Sequence, residues 1–595
     1  MFQNAPENVA DVLFQNALAS VAPGKHAPWI PARTRVLAKK LLAIDRIESI
    51  YRKAAALGTG VQQFSEELLR ELAIRYDLPA ADLSRIPRTG PVLLVANHPF
   101  GLLDGLILCA ELPRVRQDTK LMLNAVLGIL PPFQDTMIFV DISGEKDAVW
   151  KNIRPLREAI RWLRKSEGLL AMFPSGTVSS WDWKRNGVTD CAWNNCAARL
   201  AHIARATVVP VYFEGKNSLP FYLAGMIHPS LRTLRLPAEL ANKQDHKVVL
   251  RIGKPIPPEE LSAIREVGRR TEYLQARTYA LRHCARAAHS KPRTFRTPVI
   301  GATAAYTMRM EVDTLPHTSV LAASGPLVVF LARARQIPAV LTELGRLREV
   351  SFRAAGEGTG RRVDLDWFDL NYDHLILWNR EVGEVAGGYR LARTTDLLRR
   401  LGNSGLYTNT LFQFKPQFFE MMGPAIELGR SFVAPRYQKQ YGPLLLLWKA
   451  ILRYVKLFPG HTTLFGAVSI SSEFTPASRR LVVEYLHRKA RSHPLKQLVK
   501  PRNPFRAGLR FRDELGCVPE LVDSIEGLSG VISDLEGAER GIPVLLRQYS
   551  KMGGVVLEFN VDEKFSNVLD GLIVVDLKLS DPALLRRYGY IQNEE

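Results

Sequence analysis

The 595-residue chain is short of cysteine. Its five cysteines, Cys109, Cys191, Cys196, Cys284 and Cys517, are an odd, scattered set without a C-x-x-C pair. That excludes a disulfide framework and leaves no zinc ligand set, so no metal is expected and reduced cytoplasmic thiols are. The opening residues, MFQNAPENVADVLF, lack the basic-then-apolar order of an export signal. The longest greasy stretch, YGPLLLLWKAILRYVKLF, is interrupted by Lys449, Arg453 and Lys456. Neither secretion nor a membrane span is expected. No zinc knuckle, RNP-type aromatic motif or Arg/Lys-rich tail is present, so no nucleic-acid partner is expected.

What the chain has is length, a globular balance and positive charge. Hydrophobic residues make up 46% and charged residues 23%, which leaves little room for long disorder. Single cores stop growing near roughly 250–300 residues, so two domains are expected. The formal net charge of +21 draws anionic partners, whether phospholipid head groups or an acidic carrier protein. Residues 34–56, TRVLAKKLLAIDRIESIYRKAAA, space apolar residues as a basic amphipathic helix does. Such a helix either lies on anionic membrane or packs on its own domain.

From 91 to 252, the runs PVLLVAN, KLMLN, TMIFVD, GLLAMFP, TVVPVYFEG and KVVLRIG alternate with helical text. That rhythm predicts an α/β sheet with crossover helices, closed by a long helix near 267–286. Residues 1–288 form the first predicted domain, the basic, Pro-containing stretch 289–324 a linker, and 325–595 a second α/β domain. The second half opens on helical text, PLVVFLARARQIPAVLTELGRLREVSF. Strand candidates HLILWN, EVAGGYRL, AIELGRSFV, TLFGAVSI and NVLDGLIVVDL follow.

In VLLVANHPFGLLDG the strand is predicted to end near Ala96, Pro99 and Gly101 to make the turn, and Leu102 to begin a helix. His98 then stands at the strand end and Asp104 in the first helical turn. Six steps of about 100° do not place them on one helix face, so their meeting requires the loop between them. A histidine there takes a proton from a hydroxyl, and a carboxylate on its other nitrogen fixes the tautomer. The alternative is that Asp104 complements the helix dipole and His98 caps the turn. Together with KLMLNAVLGILPPFQDTMIFVD from Lys120, FPSGTVS from Phe173 and VVPVYFEG from Val208, the stretch resembles the four ordered blocks of the glycerolipid and lysophospholipid acyltransferases. The resemblance implies catalytic roles for His98 and Asp104 and substrate contacts at Lys120, Gly176, Thr177 and Pro210. Five residues separate His98 from Asp104 where the family usually has four, and Ser175 stands where it usually has Glu.

AIELGRSFVAPRYQKQYGPLLLLWKAI, residues 425–451, reads as a strand, a polar turn and an apolar helix opening near Gly442. With YDHLILWNREVGEVAGGYRL and TTLFGAVSI it resembles the ornithine-lipid N-acyltransferase, or hemolysin-like, branch of the GNAT superfamily. The E-L-x-R pattern also occurs in acyl-homoserine-lactone synthases, which use acyl carrier protein. The resemblance gives Glu427 the interest of an amine proton acceptor or ammonium anchor. It makes Arg430 a candidate grip on a carboxylate. The alternative is a structural Glu427–Arg430 ion pair. The GNAT pyrophosphate loop is reduced to Gly442 in KQYGPL, which favours acyl-ACP over acyl-CoA as thioester donor, with no cofactor bound.

Both halves together resemble bifunctional ornithine-lipid synthases. The implied partners are acyl carrier protein, L-ornithine, lyso-ornithine lipid and an anionic membrane surface. The implied place is cytoplasmic and peripheral, on the inner face of the cytoplasmic membrane. A phospholipid-remodelling acyltransferase with a noncatalytic C-terminal module and a noncatalytic membrane-associated binder are the competing readings.

Overall fold

The computed structural model describes residues 42–56, 60–134, 136–142, 147–183, 187–244, 247–287, 297–440, 442–506, 514–537 and 540–591. The chain forms two compact units, one of Met1–Ala288 with Arg510–Gly541, the other of His289–Leu509 with Ile542–Glu595.

The first unit is built on seven strands: β1 (Arg75–Asp77), β2 (Val92–Ala96), β3 (Thr119–Asn124), β4 (Met137–Val140), β5 (Leu169–Met172), β8 (Thr207–Glu214) and β9 (Lys247–Ile252). A separate hairpin, β6 (Ser180–Asp182) with β7 (Gly187–Thr189), lies between β5 and β8 in the chain. The sheet order is β1-β9-β8-β2-β5-β3-β4, parallel from β8 to β4, with β9 antiparallel to β8. β2 is apolar throughout and buried at all five positions, as a central parallel strand covered on both faces must be. Val92, Leu94 and Ala96 share a core with Leu103, Leu106, Ile107 and Ala110 of the helix Leu102–Val115. The strand ends and the helix begins where the sequence places them.

In this unit the amphipathic stretch follows the second of its two readings, and one domain assignment changes. The helix Ile44–Ala56, the described part of the amphipathic stretch, buries Ile44, Ile50, Tyr51 and Ala54, so its apolar face is spent on protein. Residues 34–41 of that stretch lie outside the described residues. The helix Ile525–Glu536, expected in the second domain, belongs instead to the first unit. Its Asp534 is buried and needs a counter-charge, which Arg277 on the helix Val267–Ala287 supplies, while Lys254 N–H donates to the same carboxylate at 2.8 Å.

The second unit carries an eight-stranded sheet of β10 (Val320–Ser324), β11 (Leu327–Arg333), β12 (Asp373–Asn379), β13 (Glu384–Arg393), β15 (Ala425–Val433), β16 (Thr463–Ile470), β18 (Val555–Asp562) and β19 (Val568–Asp576). A small pair, β14 (Phe412–Phe414) with β17 (Val499–Pro501), stands apart. The order is β10-β11-β12-β13-β15-β16-β19-β18, antiparallel except for β15 beside β16. Residues 327–333, expected to be helical, form β11, because Val328, Val329 and Phe330 suit a buried pleated surface. The helix begins only at Pro338, whose fixed φ suits a first helical position. The described part of the expected linker, from residue 297, is also structured. Helix Ala305–Asp313 buries Met308 and Val312 in the core of this unit, and β10 edges its sheet.

Candidate active sites

In the first unit, the turn after β2 brings His98 and Asp104 together, with Nδ1 3.0 Å from Oδ2. Asp104 is fully buried and its Oδ2 also accepts the backbone N–H groups of Phe100 and Gly101 at 2.9 and 3.0 Å. The capping role and the pairing with His98 are therefore held by one carboxylate. Burial raises its pKa, against the lowering effect of His98 and the two N–H groups. Gly101 adopts φ +88°, a conformation costly for residues with a Cβ, and this lets the chain turn between histidine and helix.

The His98 ring is stacked on Phe173 at 4.1 Å, which brings the FPSGT block to the dyad, and 18% of the His98 side chain stays exposed. Gly176 turns that block with φ +66°, its N–H donating to Phe173 O, and Thr177 is exposed beside it. Asn97 ties β2 to β8 by donating to Phe213 O and accepting from Phe213 N.

A second buried carboxylate, Asp190, was not singled out from the sequence. It accepts His98 N–H at 3.2 Å, the Ser179 hydroxyl at 2.5 Å and Trp193 Nε1–H at 2.9 Å, while Ser179 N–H donates to His98 O at 2.8 Å. Asp190 thus fixes the backbone from which the imidazole projects. Asn217, equally missed, donates to Pro99 O at 3.1 Å and holds the other side of the turn. Neither lies in a recognisable motif.

Lys120 is not brought to this site. It registers with Leu170, which registers with Leu93, so it sits near the start of the sheet, roughly 10 Å before the strand ends. There it pairs with Glu158 at 2.8 Å and lies over Trp162. Pro210 is buried opposite Val95, and its ring lies close to Gly253. Its neighbours Val209 and Val211 join the core shared with the helix Leu102–Val115, so Pro210 faces the other side of the sheet.

In the second unit β15 and β16 pair only from Ala425↔Thr463 to Leu428↔Gly466, and beyond that point the two strands part. Arg430 lies at the parting with φ +50°. Its guanidinium is occupied: Nε stands 3.0 Å from Asp364 Oδ2, Nη2 3.7 Å from Asp366 Oδ2, and Nη1 donates to Tyr407 OH at 3.1 Å. It is not placed as a free fork for a carboxylate. Glu427 is buried, accepting from the Tyr372 hydroxyl and from Thr408 N–H at 2.7 Å. Burial raises its pKa while these donors lower it. Glu427 and Arg430 therefore have separate partners, contrary to the ion-pair alternative.

Around them lies a charged core that sequence reading missed. Arg390 Nη1 donates to Asp366 at 2.7 Å and lies 3.2 Å from Asp369, and Arg348 donates to Asp369 at 2.7 Å. Arg390 also stands over Tyr372 and Tyr407. Burial alone would push Asp369 up, but Arg348 and Arg390 outweigh it and hold the carboxyl below its usual range. The same setting pushes His374 down to about 4, through burial and Arg348. The signal available was the acid-rich, aromatic run DLDWFDLNYDH, whose four aspartates, Asp364, Asp366, Asp369 and Asp373, pair with Arg430, Arg390, Arg348 and Arg333 elsewhere in the chain. Glu357 is pushed up to about 7 by burial, despite the Ser469 hydroxyl donating to it at 2.8 Å. Gly442 opens the helix Gly442–Leu457, and a Cβ there would meet nothing within 4 Å. Among the described residues no group of His, Cys, Asp and Glu is placed to hold a metal.

Residues 17–288 match the family described as Acyltransferase, and residues 347–448 match the Acetyltransferase (GNAT) domain. The glycine N(alpha)-acyltransferase of Bacteroides thetaiotaomicron is 30% identical over 286 residues, covering 44% of this chain and 82% of the relative. The L-ornithine N(alpha)-acyltransferase of Rhizobium meliloti is 26% identical, covering 46% and 88%. The lyso-glycine lipid O-acyltransferase of Phocaeicola vulgatus is 26% identical, covering 39% and 82%. Folds and matches together define an α/β acyltransferase with an N-terminal acyltransferase domain and a C-terminal GNAT domain. More narrowly, the chain belongs to the family of N(alpha)-acyltransferases that includes the Bacteroides relative, and joins to it the Acyltransferase domain of residues 17–288.

Proposed function

We propose that the chain makes a diacylated amino-acid lipid in two transfers, N-acylation first and O-acylation second. The observation that carries this reading is the buried Asp104 carboxylate held 3.0 Å from His98 in a chain that also contains a GNAT domain. In the first transfer the α-amine of L-ornithine attacks the thioester carbonyl of a 3-hydroxyacyl donor. The C–N bond forms, the C–S bond breaks, and the carrier thiol leaves with a proton. Glu427 holds Tyr372 and the Thr408 turn at the base of the β15–β16 parting, and Gly442 opens the helix beside which the donor's phosphate would lie. The unpaired edges of the parted strands suit the amide-bearing arm that carries an acyl group. The net charge favours an acidic carrier protein over coenzyme A as the donor's holder.

In the second transfer His98, its Nδ1–H turned to Asp104, takes the proton of the new chain's 3-hydroxyl through Nε2. That oxygen attacks a second thioester, and the imidazolium returns the proton to the leaving thiol. Phe173, Gly176 and Thr177 line the acceptor side. We place the reaction at the inner face of the cytoplasmic membrane, where the lyso product partitions. Glycine is the second acceptor to weigh, since relatives named for glycine reach 30% and 32% identity against 26% for the one named for ornithine. Mass spectrometry of lipids from a host without aminolipids, expressing this chain, tests the reading. Acyloxyacyl-ornithine is expected, the glycine analogue would move the acceptor, and acylated glycerophospholipids alone would overturn the two-step scheme.

A further inference from the structure

The helix Leu219–Ile227, in the first unit, carries an exposed apolar stripe. Leu219, Leu223, Met226 and Ile227 are 70%, 50%, 60% and 79% exposed, while Phe221 on the opposite side and Tyr222 at the stripe's edge are buried with Val178 and Trp181. At about 100° per residue the four exposed side chains fall within an arc of roughly 100°. They therefore form one surface rather than scattered positions. Single exposed aliphatic residues are ordinary, but four on one short helix mark a docking face.

The charges around it say what docks. From Lys216 to Ala238 the chain has no acidic residue, but it has Lys216, His228, Arg232 and Arg235. Lys216 and His228 are exposed next to the two ends of the helix. An exposed apolar stripe beside Lys216, in a stretch without acidic residues on a chain of net charge +21, matches a phospholipid surface, where acyl chains lie beneath anionic head groups. A self-association patch has no need of that one-sided charge.

The helix is also tied to the dyad. Asn217, two residues before Leu219, donates its side-chain amide to Pro99 O in the turn that carries His98, and its own N–H donates to the Tyr222 hydroxyl. We infer that Leu219, Leu223, Met226 and Ile227 insert into the head-group region of an anionic membrane, so that an amphiphilic acceptor reaches His98 without crossing water. The inference rests on the O-acyl transfer reading for its purpose, but the contact is measurable without turnover.

The test is co-flotation of the full-length protein with phosphatidylcholine vesicles containing or lacking phosphatidylglycerol. Wild type is expected to bind the anionic vesicles more strongly. The double variant Leu223→Asp/Ile227→Asp should lose about tenfold or more in partition, and Leu223→Gln/Ile227→Gln a smaller amount, with unfolding midpoints unchanged since all these side chains point outward. Both variants should keep the wild-type rate on a short-chain, water-soluble hydroxyacyl acceptor and lose rate on an acceptor embedded in vesicles. Wild-type failure to bind either vesicle, or equal binding by wild type and the Asp variant, overturns the inference. So does a variant whose only change, by sedimentation velocity, is loss of a dimer. If vesicle binding behaves as expected but no protein acylates either acceptor, the O-acyl reading fails and the membrane contact stands.

Discussion

At the residue scale, the first site rests on two buried carboxylates with different tasks. Asp104 faces the imidazole, whereas Asp190 holds the backbone beneath it through His98 N–H, Ser179 and Trp193. Misplacing a reacting group by about an ångström costs about 10²-fold in rate. Asp190→Asn is thus expected to lower kcat for O-acylation about ten- to a hundredfold with KM nearly unchanged, which steady-state kinetics on lyso-lipid would read. Unfolding would give the same kinetic pattern through a smaller active fraction, so the expected positioning loss is one seen with the Tm unchanged. In the second unit Glu357 offers a test by pH. Its folded pKa is raised from the ordinary 4.5 to about 7, so between these values the unfolded chain binds fewer protons than the folded one. Stability from this group is present below pH 4.5 and falls as pH rises toward 7. The gap corresponds to about 3 kcal/mol at most. Glu357→Gln, which keeps an oxygen for the Ser469 hydroxyl, should flatten that fall, and urea unfolding at pH 5 and 7.5 would measure it.

At the element scale, the parting of β15 from β16 depends on Gly466. A Cβ there would stand 2.2 Å from Leu428 O, a backbone atom with nowhere to go, at the last paired position of the two strands. Gly466→Ala should cost about 1–3 kcal/mol and shift where the strands separate, so thermal unfolding and N-acyl transfer should both suffer. The strands around the sites were legible because each is a short apolar run whose surroundings are themselves strands and helices in regular alternation. VLLVA and AIELGRSFV could hardly be anything else. PLVVFLARARQIPAVL is read as helix throughout because the strand Leu327–Arg333 and the helix from Pro338 are joined by only a short turn, Ala334–Gln336, whose Ala, Arg and Gln also suit a helix. The helix Ile525–Glu536 was assigned to the wrong unit for another reason: local periodicity reports which face is apolar, not which partner covers it. The dyad was legible from the loop that had to bring His98 and Asp104 together. Asp190, Asn217 and the Arg348–Arg390–Arg430 core were not, because their partners lie far off in sequence and no fixed spacing announces them.

At the scale of the whole molecule, two chemistries share one chain, and their separation is the sharpest consequence. The imidazole of His98 and the carboxylate of Glu427 lie in different units, each built on its own sheet. Substitution at one is expected to leave the other's sheet in place, which circular dichroism and unfolding of each variant would check. In the proposed scheme His98→Ala removes the base for the hydroxyl, a loss of about 10²–10⁴-fold, so the purified variant should accumulate N-acyl-ornithine and make almost none of the diacyl product. Glu427→Ala deletes the acceptor for Tyr372 and Thr408 N–H. It should make no product from ornithine yet acylate added lyso-ornithine lipid at the wild-type rate. Mixing the two variants should restore diacyl product only as fast as the intermediate diffuses between molecules. One chain holding both units raises the intermediate's effective concentration at the second site, so the mixture should lag the wild type most at low enzyme concentration. A His98→Ala protein that still forms the diacyl lipid normally would remove the dyad from the scheme. A mixture that matches wild type at every dilution would show that joining the units on one chain brings no kinetic advantage.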